Sequence, residues 1–442
     1  MLKRYFAVAI IFFLPLTALA QKKPLSLEEA ITAGLEASPG LHAARMSVES
    51  MAAKSREIGA GRLPSLKLGA GYTRLSEVPP FEVNLPIFPN PIVVSQNYFN
   101  NFNLRLSLQQ PLFTGFRLQA GVEAAQFLEK SAGQDFEKDR VEFIFGVKSA
   151  YWGLARAREF EKIIDENIRQ IGEHLKDVRA FFEQGLLTKN EVLRVELELS
   201  NAEIMRIDAR NAAEVALTAL NSLIGWPLET DVELTTSADS QASRLPAAED
   251  PEKESPIETA LSNRPELKSA DLRIKASEFT LKAARAGYYP QVFLSGNYYY
   301  LRPNPRILPA LDNFKGTWDL AISVSFDLWN WGQTKSQTEQ AQAQLAQARD
   351  ARKLLEDQAV LDAIQSRLGL ARAREKVRVA GQAIAQAEEN LRINREKFKQ
   401  GVALNTDVMD AEVALLQAQM NRTQSTIDLV LAQAKLEKAL GY

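Results

Sequence analysis

The sequence predicts a mostly α-helical chain with a β-barrel portion, assembled from one structural unit that occurs twice. Three observations carry this. Residues 153–159 read GLARARE, and residues 369–375 read GLARARE again, 216 positions on. Long proline-free stretches place apolar residues at steps of three and four, the period of helices packed in coiled coils. Four short segments instead alternate apolar and polar residues with period two, the period of strands.

The duplication extends well beyond one heptapeptide. The same offset pairs Phe182-Glu-Gln-Gly185 with Phe398-Lys-Gln-Gly401, Glu123 with Glu339, and Ile224-Gly225-Trp226 with Leu440-Gly441-Tyr442. Upstream, an offset of 226 pairs Pro39 and Leu41 with Pro265 and Leu267, and Leu63-Pro64 with Tyr289-Pro290. The halves therefore differ by about ten residues, around positions 75–100. The unit is far longer than a solenoid repeat, so each half is a large substructure. Residues 21–226 form the first repeat and 257–442 the second, with a polar, Pro- and Ser-bearing linker over 227–256.

Residues 1–20, MLKRYFAVAIIFFLPLTALA, have the marks of a secretory signal peptide. Lys3 and Arg4 supply the basic start, Tyr5–Leu16 the apolar run, and Ala18-Leu19-Ala20 the small-x-small cleavage site. No Cys follows that site or occurs anywhere, which excludes lipoprotein acylation, disulfides and thiolate chemistry. Loss of Lys3 and Arg4 with the signal moves the formal net charge from −2 to −4, a balance that gives nucleic acid no footing. Beyond the signal there is no apolar run of about 18 residues, so any membrane entry must be made by β-strands.

The four strand segments follow in order. In 64–75, Leu66, Leu68, Ala70 and Tyr72 alternate with Lys67, Gly69, Gly71 and Thr73. In 102–113, Phe102, Leu104, Leu106 and Leu108 alternate with Asn103, Arg105, Ser107 and Gln109. In 290–301, Val292, Leu294, Gly296, Tyr298 and Tyr300 share a face, against a background blurred by Phe293 and Tyr299. The fourth, over about 317–329, sets Trp318, Leu320, Ile322, Val324, Phe326 and Leu328 against Asp319, Ala321, Ser323, Ser325 and Asp327. A soluble sandwich has the same alternation. Two features point to a bilayer: each segment is close to the roughly 9–11 residues of a tilted membrane strand, and aromatics gather at strand ends (Phe113 and Phe116; Trp329 and Trp331), as in an interfacial girdle. An open sheet cannot span a bilayer, and the smallest bacterial barrels have about eight strands. Four strands per chain thus require two or three chains to share one barrel, three giving twelve strands and the beginnings of a lumen.

The helical segments are too long for a globular core. From Arg117 to Glu183 there is no proline, and such a run reaches about 100 Å at 1.5 Å per residue. Its stripe is Phe160, Ile164, Ile168, Ile171, Leu175, Val178 and Phe182. The return segment of the second half has Met409, Val413, Leu416, Met420, Thr423, Ile427, Val430 and Ala434. Small residues on other faces, such as Ala341, Ala343, Ala346, Ala348 and Ala351, let each helix approach two neighbours, as a ring of helices requires; a plain soluble coiled coil shows the same periodicity. Each half then reads helix, strand pair, long helix, tight turn, returning helix. The turns fall at 184–188 and 400–404, where Gly185 and Gly401 suit the left-handed helix terminus. Thr188 and Asn190, like Asn405 and Thr406, are placed to cap the helices that follow.

With duplication, paired strands, Pro39 and Pro265 helix starts, Gln-Pro-Leu-Phe at 110–113 and Gly-centred turns, the chain resembles the TolC family of outer-membrane efflux and secretion channels over nearly its whole mature length. The resemblance implies a homotrimer whose 12-stranded outer-membrane barrel continues into a long coiled-coil α-helical tunnel in the periplasm. It implies partners too: a periplasmic adaptor (membrane fusion) protein docked end on, fed by an inner-membrane transporter. By position, Gly185, Leu186, Gly401 and Val402 match the family's adaptor-docking tips. Asp407 and Asp410 match an acidic pair that rings the periplasmic mouth, where threefold symmetry gathers six carboxylates and favours cations. Their first-half counterparts are Glu191 and Arg194. Phe398 and Ala403 depart from the family, which carries a Tyr and an Arg there as a latch.

No catalytic constellation, cofactor motif or metal-ligand spacing is present. Gly59-Ala-Gly61 lacks the Lys-Ser/Thr of a phosphate loop and reads as a helix end. His42 and His174, without a partner His or Cys, read as surface residues. The expected function is the exit duct of a tripartite pump exporting small molecules. Two alternatives stay open: an outer-membrane channel for type I protein secretion, and, in another class, a periplasmic coiled-coil adaptor or scaffold, which the four strands and two equal hairpins oppose.

Overall fold

The structure, a computed structural model, describes residues 23–79, 81–83, 86–87, 89, 92–95, 98–244 and 256–442. The signal segment expected at 1–20 and part of the linker lie outside the described residues. The first half runs β1 (Lys23–Leu25), α1 (Leu27–Ala37), α2 (Pro39–Ala60), β2 (Ser65–Arg74), β3 (Phe81–Val83), β4 (Ile92–Ser95), β5 (Asn100–Thr114), α3 (Arg117–Glu183) and α4 (Lys189–Ile224). Then come β6 (Val232–Leu234) and α5 (Ala238–Ser243) in the linker region. The second half runs α6 (Pro256–Asn263), α7 (Pro265–Ala284), a 3₁₀ turn (Arg285–Tyr288), β7 (Gln291–Arg302), β8 (Lys315–Ser325), α8 (Gln333–Lys399) and α9 (Asn405–Ala439). Helices α3 and α8 are each 67 residues long, occupying matching places in the two halves.

The chain divides into two compact units: Met1–Leu41 with Arg140–Ser262 and Leu361–Tyr442, and His42–Asp139 with Asn263–Val360. The second of these holds a four-stranded antiparallel sheet in the order β2-β5-β7-β8. Its register sets Leu68 opposite Leu106, Leu106 opposite Tyr298 and Tyr298 opposite Trp318, so the apolar sets of all four strands share one face. That face is bare: Leu66, Leu68, Leu106, Trp318, Leu320, Ile322 and Val324 are all exposed. The opposite face is polar. Pro111, which has no backbone N–H to give, coincides with a bulge in the β5–β7 ladder.

One expectation is corrected here. The fourth strand starts earlier and stops at Ser325, so Phe326 and Leu328 lie beyond the ladder although they keep its alternation. The partner β7 begins at Gln291, opposite Ser325, and offers nothing further to pair with. Around 75–100, where the halves differ in length, β3 and β4 form a further short antiparallel pair.

The other unit is helical, with a small two-stranded parallel sheet, β1 against β6, at residues 23–25 and 232–234. Its largest core packs Leu25, Leu27 and Ala30 against Val147, Tyr151, Trp152 and Leu154 of α3, Leu220 and Ile224 of α4, and Ile427 and Val430 of α9. Tyr151 is fully buried, and its hydroxyl is satisfied: it donates to the Leu25 carbonyl at 3.1 Å and accepts from the Thr236 amide at 3.1 Å. Helix α1 begins with a capping box, the Ser26 hydroxyl on the Glu29 amide and the Glu29 carboxylate on the Ser26 amide. Hydrogen bonding to the carboxylate from the Ser26 amide, and secondarily from the Ser26 hydroxyl, holds the Glu29 carboxyl below its ordinary range.

The stripe expected on α3 is buried at Ile164, Ile171, Leu175 and Val178. On α9 the expected stripe is buried at Ile427, Val430 and Ala434, but nearer the turn it is displaced: the chain itself covers Val408, Ala411, Leu415 and Ala418, while Val413 is exposed and Met409, Leu416 and Met420 are half-buried. Near the turn α9 thus has two apolar faces, of which one chain buries one.

An ion pair is duplicated with the fold. Arg179 Nη2 meets Glu196 Oε1 at 2.6 Å across the α3–α4 hairpin, and Arg395 Nη2 meets Glu412 Oε1 at 2.7 Å across α8–α9, each residue 216 positions from its counterpart. The first pair is open to solvent, at 54% and 38% side-chain exposure; in the second the Glu412 side chain is 3% exposed. An exposed pair contributes about 0–1 kcal/mol, whereas removing one partner of a buried pair costs about 3–5 kcal/mol, because a charge is left uncompensated. The expected outcome is that Arg395→Gln destabilises strongly, that Arg395→Gln/Glu412→Gln recovers most of the loss, and that Arg179→Gln has little effect. Denaturant unfolding followed by circular dichroism checks this, and equal losses for Arg179→Gln and Arg395→Gln would contradict it.

Candidate functional site: the paired hairpin turns

Both hairpins close with the same turn. Gly185 accepts the left-handed conformation at φ +76° and Gly401 at φ +74°, where an L side chain is strained. The Gly185 and Leu186 amides donate to the Phe182 and Phe181 carbonyls, and the Gly401 and Val402 amides donate to the Phe398 and Lys397 carbonyls, all at 2.9 Å. A Cβ built at either glycine meets nothing within 4 Å, so backbone conformation, and not crowding, requires glycine there. The residue after each glycine projects into solvent: Leu186 is 68% exposed and Val402 is 74% exposed.

The two turns face one cleft of about 820 Å³, lined among others by Phe181, Phe398, Glu191, Arg194, Leu404 and Thr406. Beneath it lies a polar chain linking the hairpins. His174 Nε2 is 2.7 Å from Asn405 Oδ1, and Asn405 Nδ2 donates to Glu191 Oε2 at 2.9 Å. The His174 ring packs edge-on against Phe398 with centroids 5.1 Å apart. Hydrophobic packing surrounds this link: Ile171, Leu175, Val178, Val192, Val195, Leu391, Phe398, Val408 and Leu415 belong to one buried cluster.

His174 is therefore not a surface residue, being 4% exposed, whereas His42 is exposed as expected. The capping expectations are corrected as well. Thr188 holds the N-cap position of α4 without a side-chain cap bond, and Asn405 is spent on His174 and Glu191. Helix α9 is capped instead by Asp407, whose carboxylate accepts from the Leu404 amide at 2.9 Å. At the matching place in α4, Glu191 reaches across to the other hairpin.

Of the expected mouth residues, Glu191 and Arg194 line the cleft and Asp407 and Asp410 do not; both aspartates are exposed on the first turns of α9. Their spacing of three puts them on one side of that helix. Among the described residues no group of three or more His, Cys, Asp or Glu is placed to hold a metal ion, and no helix is long and apolar enough to cross a membrane. Higher on α3, hydrogen bonds from Arg169 and Gln170 draw the Glu166 carboxyl down to about 2. Glu375 and Glu389 on α8 are lowered by Arg378 and Arg392 in the same i,i+3 arrangement. These are solvated pairs that keep the outer faces soluble and add little stability.

Sequence reading missed His174 and the Arg395–Glu412 pair. A signal existed for each. His174 falls on the buried stripe of α3, at steps of four, three and four through Asn167, Ile171, His174 and Val178. The ion pair repeats at the duplication offset.

Comparison with known proteins agrees with this architecture. Residues 30–226 and 257–442 match the family model described as outer membrane efflux protein. The outer membrane efflux protein BepC of Brucella suis biovar 1 (strain 1330) is 25% identical over 356 residues, covering 78% of this chain and 73% of BepC. The alkaline protease secretion protein AprF of Pseudomonas aeruginosa is 24% identical over 353 residues, covering 78% of this chain and 70% of AprF. The outer membrane protein VceC of Vibrio cholerae superposes with a TM-score of 0.78 at 20% identity, over 94% of this chain and 96% of VceC. The chain belongs to the outer membrane efflux protein family, a family of channels and not of enzymes, and its place is the outer membrane.

Proposed function

We propose that three copies of this chain share one 12-stranded barrel and form the exit duct of a tripartite pump that exports small molecules across the periplasm and outer membrane. The observation that carries this is the open sheet: β2 and β8 are unpaired edges of a four-stranded sheet whose apolar face is exposed along both edge strands and at Leu104, Leu106, Leu108, Tyr298 and Tyr300. Hydrocarbon does not tolerate such edges, and strands from further copies satisfy them. Leucines 354, 361 and 368 give α8 a bare stripe at heptad spacing, and Leu193, Leu197, Ile204 and Ile207 give α4 another. Both suit helix packing against a neighbouring copy in a tunnel wall. The two repeats, 21–226 and 257–442 about a linker at 227–256, supply two hairpins per chain, and the two segments matched by the family support that division.

A second reading, protein secretion, is favoured by one observation, the similarity to AprF, itself named a secretion protein. The same duct serves either cargo, and the transporter it meets decides between them. The adaptor or scaffold alternative has no support left once the family is known.

The exposed turns at Gly185-Leu186 and Gly401-Val402 are the adaptor-docking tips in this proposal. Native mass spectrometry in detergent is expected to give three copies per particle, and a stable monomer would sink the architecture. Gly185→Val/Gly401→Val, which strains both turns, is expected to keep the trimer and to lose capture of the adaptor encoded with this chain. Loss of the trimer in that variant would assign the glycines to folding alone.

Asp407 and Asp410 form the acidic ring of the periplasmic mouth, with Glu191 and Arg194 beside the cleft as a partly neutralising second rank. Asp407 caps α9 with one carboxylate oxygen while remaining exposed, so the capping and ring roles are compatible. Asp407→Ala/Asp410→Ala is expected to lower cation selectivity in planar bilayers and to weaken block by hexaamminecobalt(III) added on the periplasmic side. Unchanged selectivity and block would leave Asp407 as a helix cap only.

A further inference from the structure

The polar face of the sheet becomes strongly basic toward the end away from the helices. Helices α2, α3, α7 and α8 all join the sheet at one end, near Ser65, Thr114, Gln291 and Ser325. The 303–314 connection closes the other end. Three successive rows of the polar face lead toward it: Lys67, Ser107, Asn297 and Asp319; then Gly69, Arg105, Tyr299 and Thr317; then Gly71, Asn103, Leu301 and Lys315. The 303–314 connection adds Arg306, which folds back so that its Nη1 donates to the Trp318 carbonyl at 3.0 Å and its Nη2 to Asp319 Oδ2 at 2.8 Å.

Asp319 is the one acid in these rows, and it is already engaged by Arg306 and by Asn297 Nδ2 at 2.8 Å. Arg105 spends its Nε and Nη2 on the uncharged Asn297 Oδ1, at 3.2 and 2.8 Å. The Tyr299 ring lies within cation–π reach of both guanidinium groups, 5.2 Å from Arg105 and 5.4 Å from Arg306. Lys67, Arg105 and Lys315 are exposed and form no ion pair with a carboxylate among the described residues. Beside Arg105, Gly69 leaves open space where a side chain would stand.

Rows of one face lie about 7 Å apart, so the three uncompensated bases fall within about 14 Å along the strands. With strands about 4.8 Å apart, Lys67 lies about 8 Å from Arg105 and Arg105 about 12 Å from Lys315, so against a screening length of about 8 Å in physiological salt the fields of neighbouring bases overlap in part. Closing a barrel repeats the set around a low-dielectric wall, which focuses the potential.

We infer that Lys67, Arg105 and Lys315 form an anion-receiving ring inside the outward end of the barrel, engaging the carboxylate- or phosphate-like groups of exported molecules. Rings of Lys and Arg select anions as rings of Asp and Glu select cations. This rests on the shared barrel proposed above, because one open sheet makes no ring. Arg306 neutralises Asp319, the one acid of these three rows, and Arg302 pairs with Asp312 of the 303–314 connection, so neither acid cancels the bases.

The test uses the reconstituted trimer in planar bilayers with inorganic tripolyphosphate as probe. Added on the side of the 303–314 connection, tripolyphosphate is expected to block the wild-type channel, less strongly as salt rises. Lys67→Gln/Arg105→Gln/Lys315→Gln is expected to weaken that block by about 10-fold or more while leaving hexaamminecobalt(III) block unchanged. The charge-conserving Lys67→Arg/Arg105→Lys/Lys315→Arg keeps the block, which separates charge from folding; Arg105→Gln alone gives an intermediate effect should the triple variant not assemble. Block of unaltered strength in a conducting triple or single Gln variant overturns the inference. A wild-type protein that conducts but is not blocked by tripolyphosphate also overturns it, whereas one that gives no conductance at all overturns the shared barrel beneath it.

Discussion

Everything in this chain answers to the backbone hydrogen bonds that β2 and β8 leave unmade. Each strand pairs on one side only, and in hydrocarbon every orphaned N–H and C=O costs several kcal/mol. In water such an edge is a hazard for aggregation; in a membrane it is untenable. The exposed Leu66, Leu68, Ile322 and Val324 make water the wrong solvent for this sheet, and the edges make a single copy the wrong stoichiometry for lipid. The bare stripes on α4 and α8 are apolar surface that a neighbouring copy would cover in the proposed tunnel.

Duplication supplies two hairpins, and their divergence supplies the asymmetry at the turns. Glu191 and Asp407 descend from one position, yet Glu191 tethers the second hairpin through Asn405 while Asp407 caps its own helix. Asn405 stands where the first half has Lys189, and His174 stands where the second half has Asn390. The link between hairpins thus needs a residue from each half that its counterpart lacks. The Arg179–Glu196 and Arg395–Glu412 pairs show the same divergence by burial alone: chemistry is kept, and the environment decides how much each matters.

Much of this was legible because period is a direct consequence of burial. Trp318 to Val324 alternates because one face of β8 meets a different medium from the other, and Ile164 to Val178 steps by three and four because one stripe of α3 meets the core. Gly185 and Gly401 were legible because few other residues accept their φ. His174 was not, because a lone polar residue on an apolar stripe is read by its chemistry until a partner is found 231 residues away. The end of β8 was hidden for a similar reason: Phe326 and Leu328 continue the alternation, but the ladder stops where β7 does. The displaced stripe near the turn of α9 reflects a helix with two apolar faces there, from which periodicity alone cannot choose the one buried within the chain.

The claim that neighbouring copies complete the sheet is open to direct measurement, since the chain contains no cysteine. Within one copy β2 and β8 are three strand spacings apart, about 14 Å, beyond the roughly 7 Å limit for a disulfide. A cysteine at Gly69 on β2, combined in turn with one at Thr317, Ala321 or Ser323 on β8, scans the register of a shared seam. Under oxidation in outer membranes, one of these pairs should give a ladder that ends at three linked chains. Monomer alone from every pair, or a ladder that runs past three, would contradict the shared barrel.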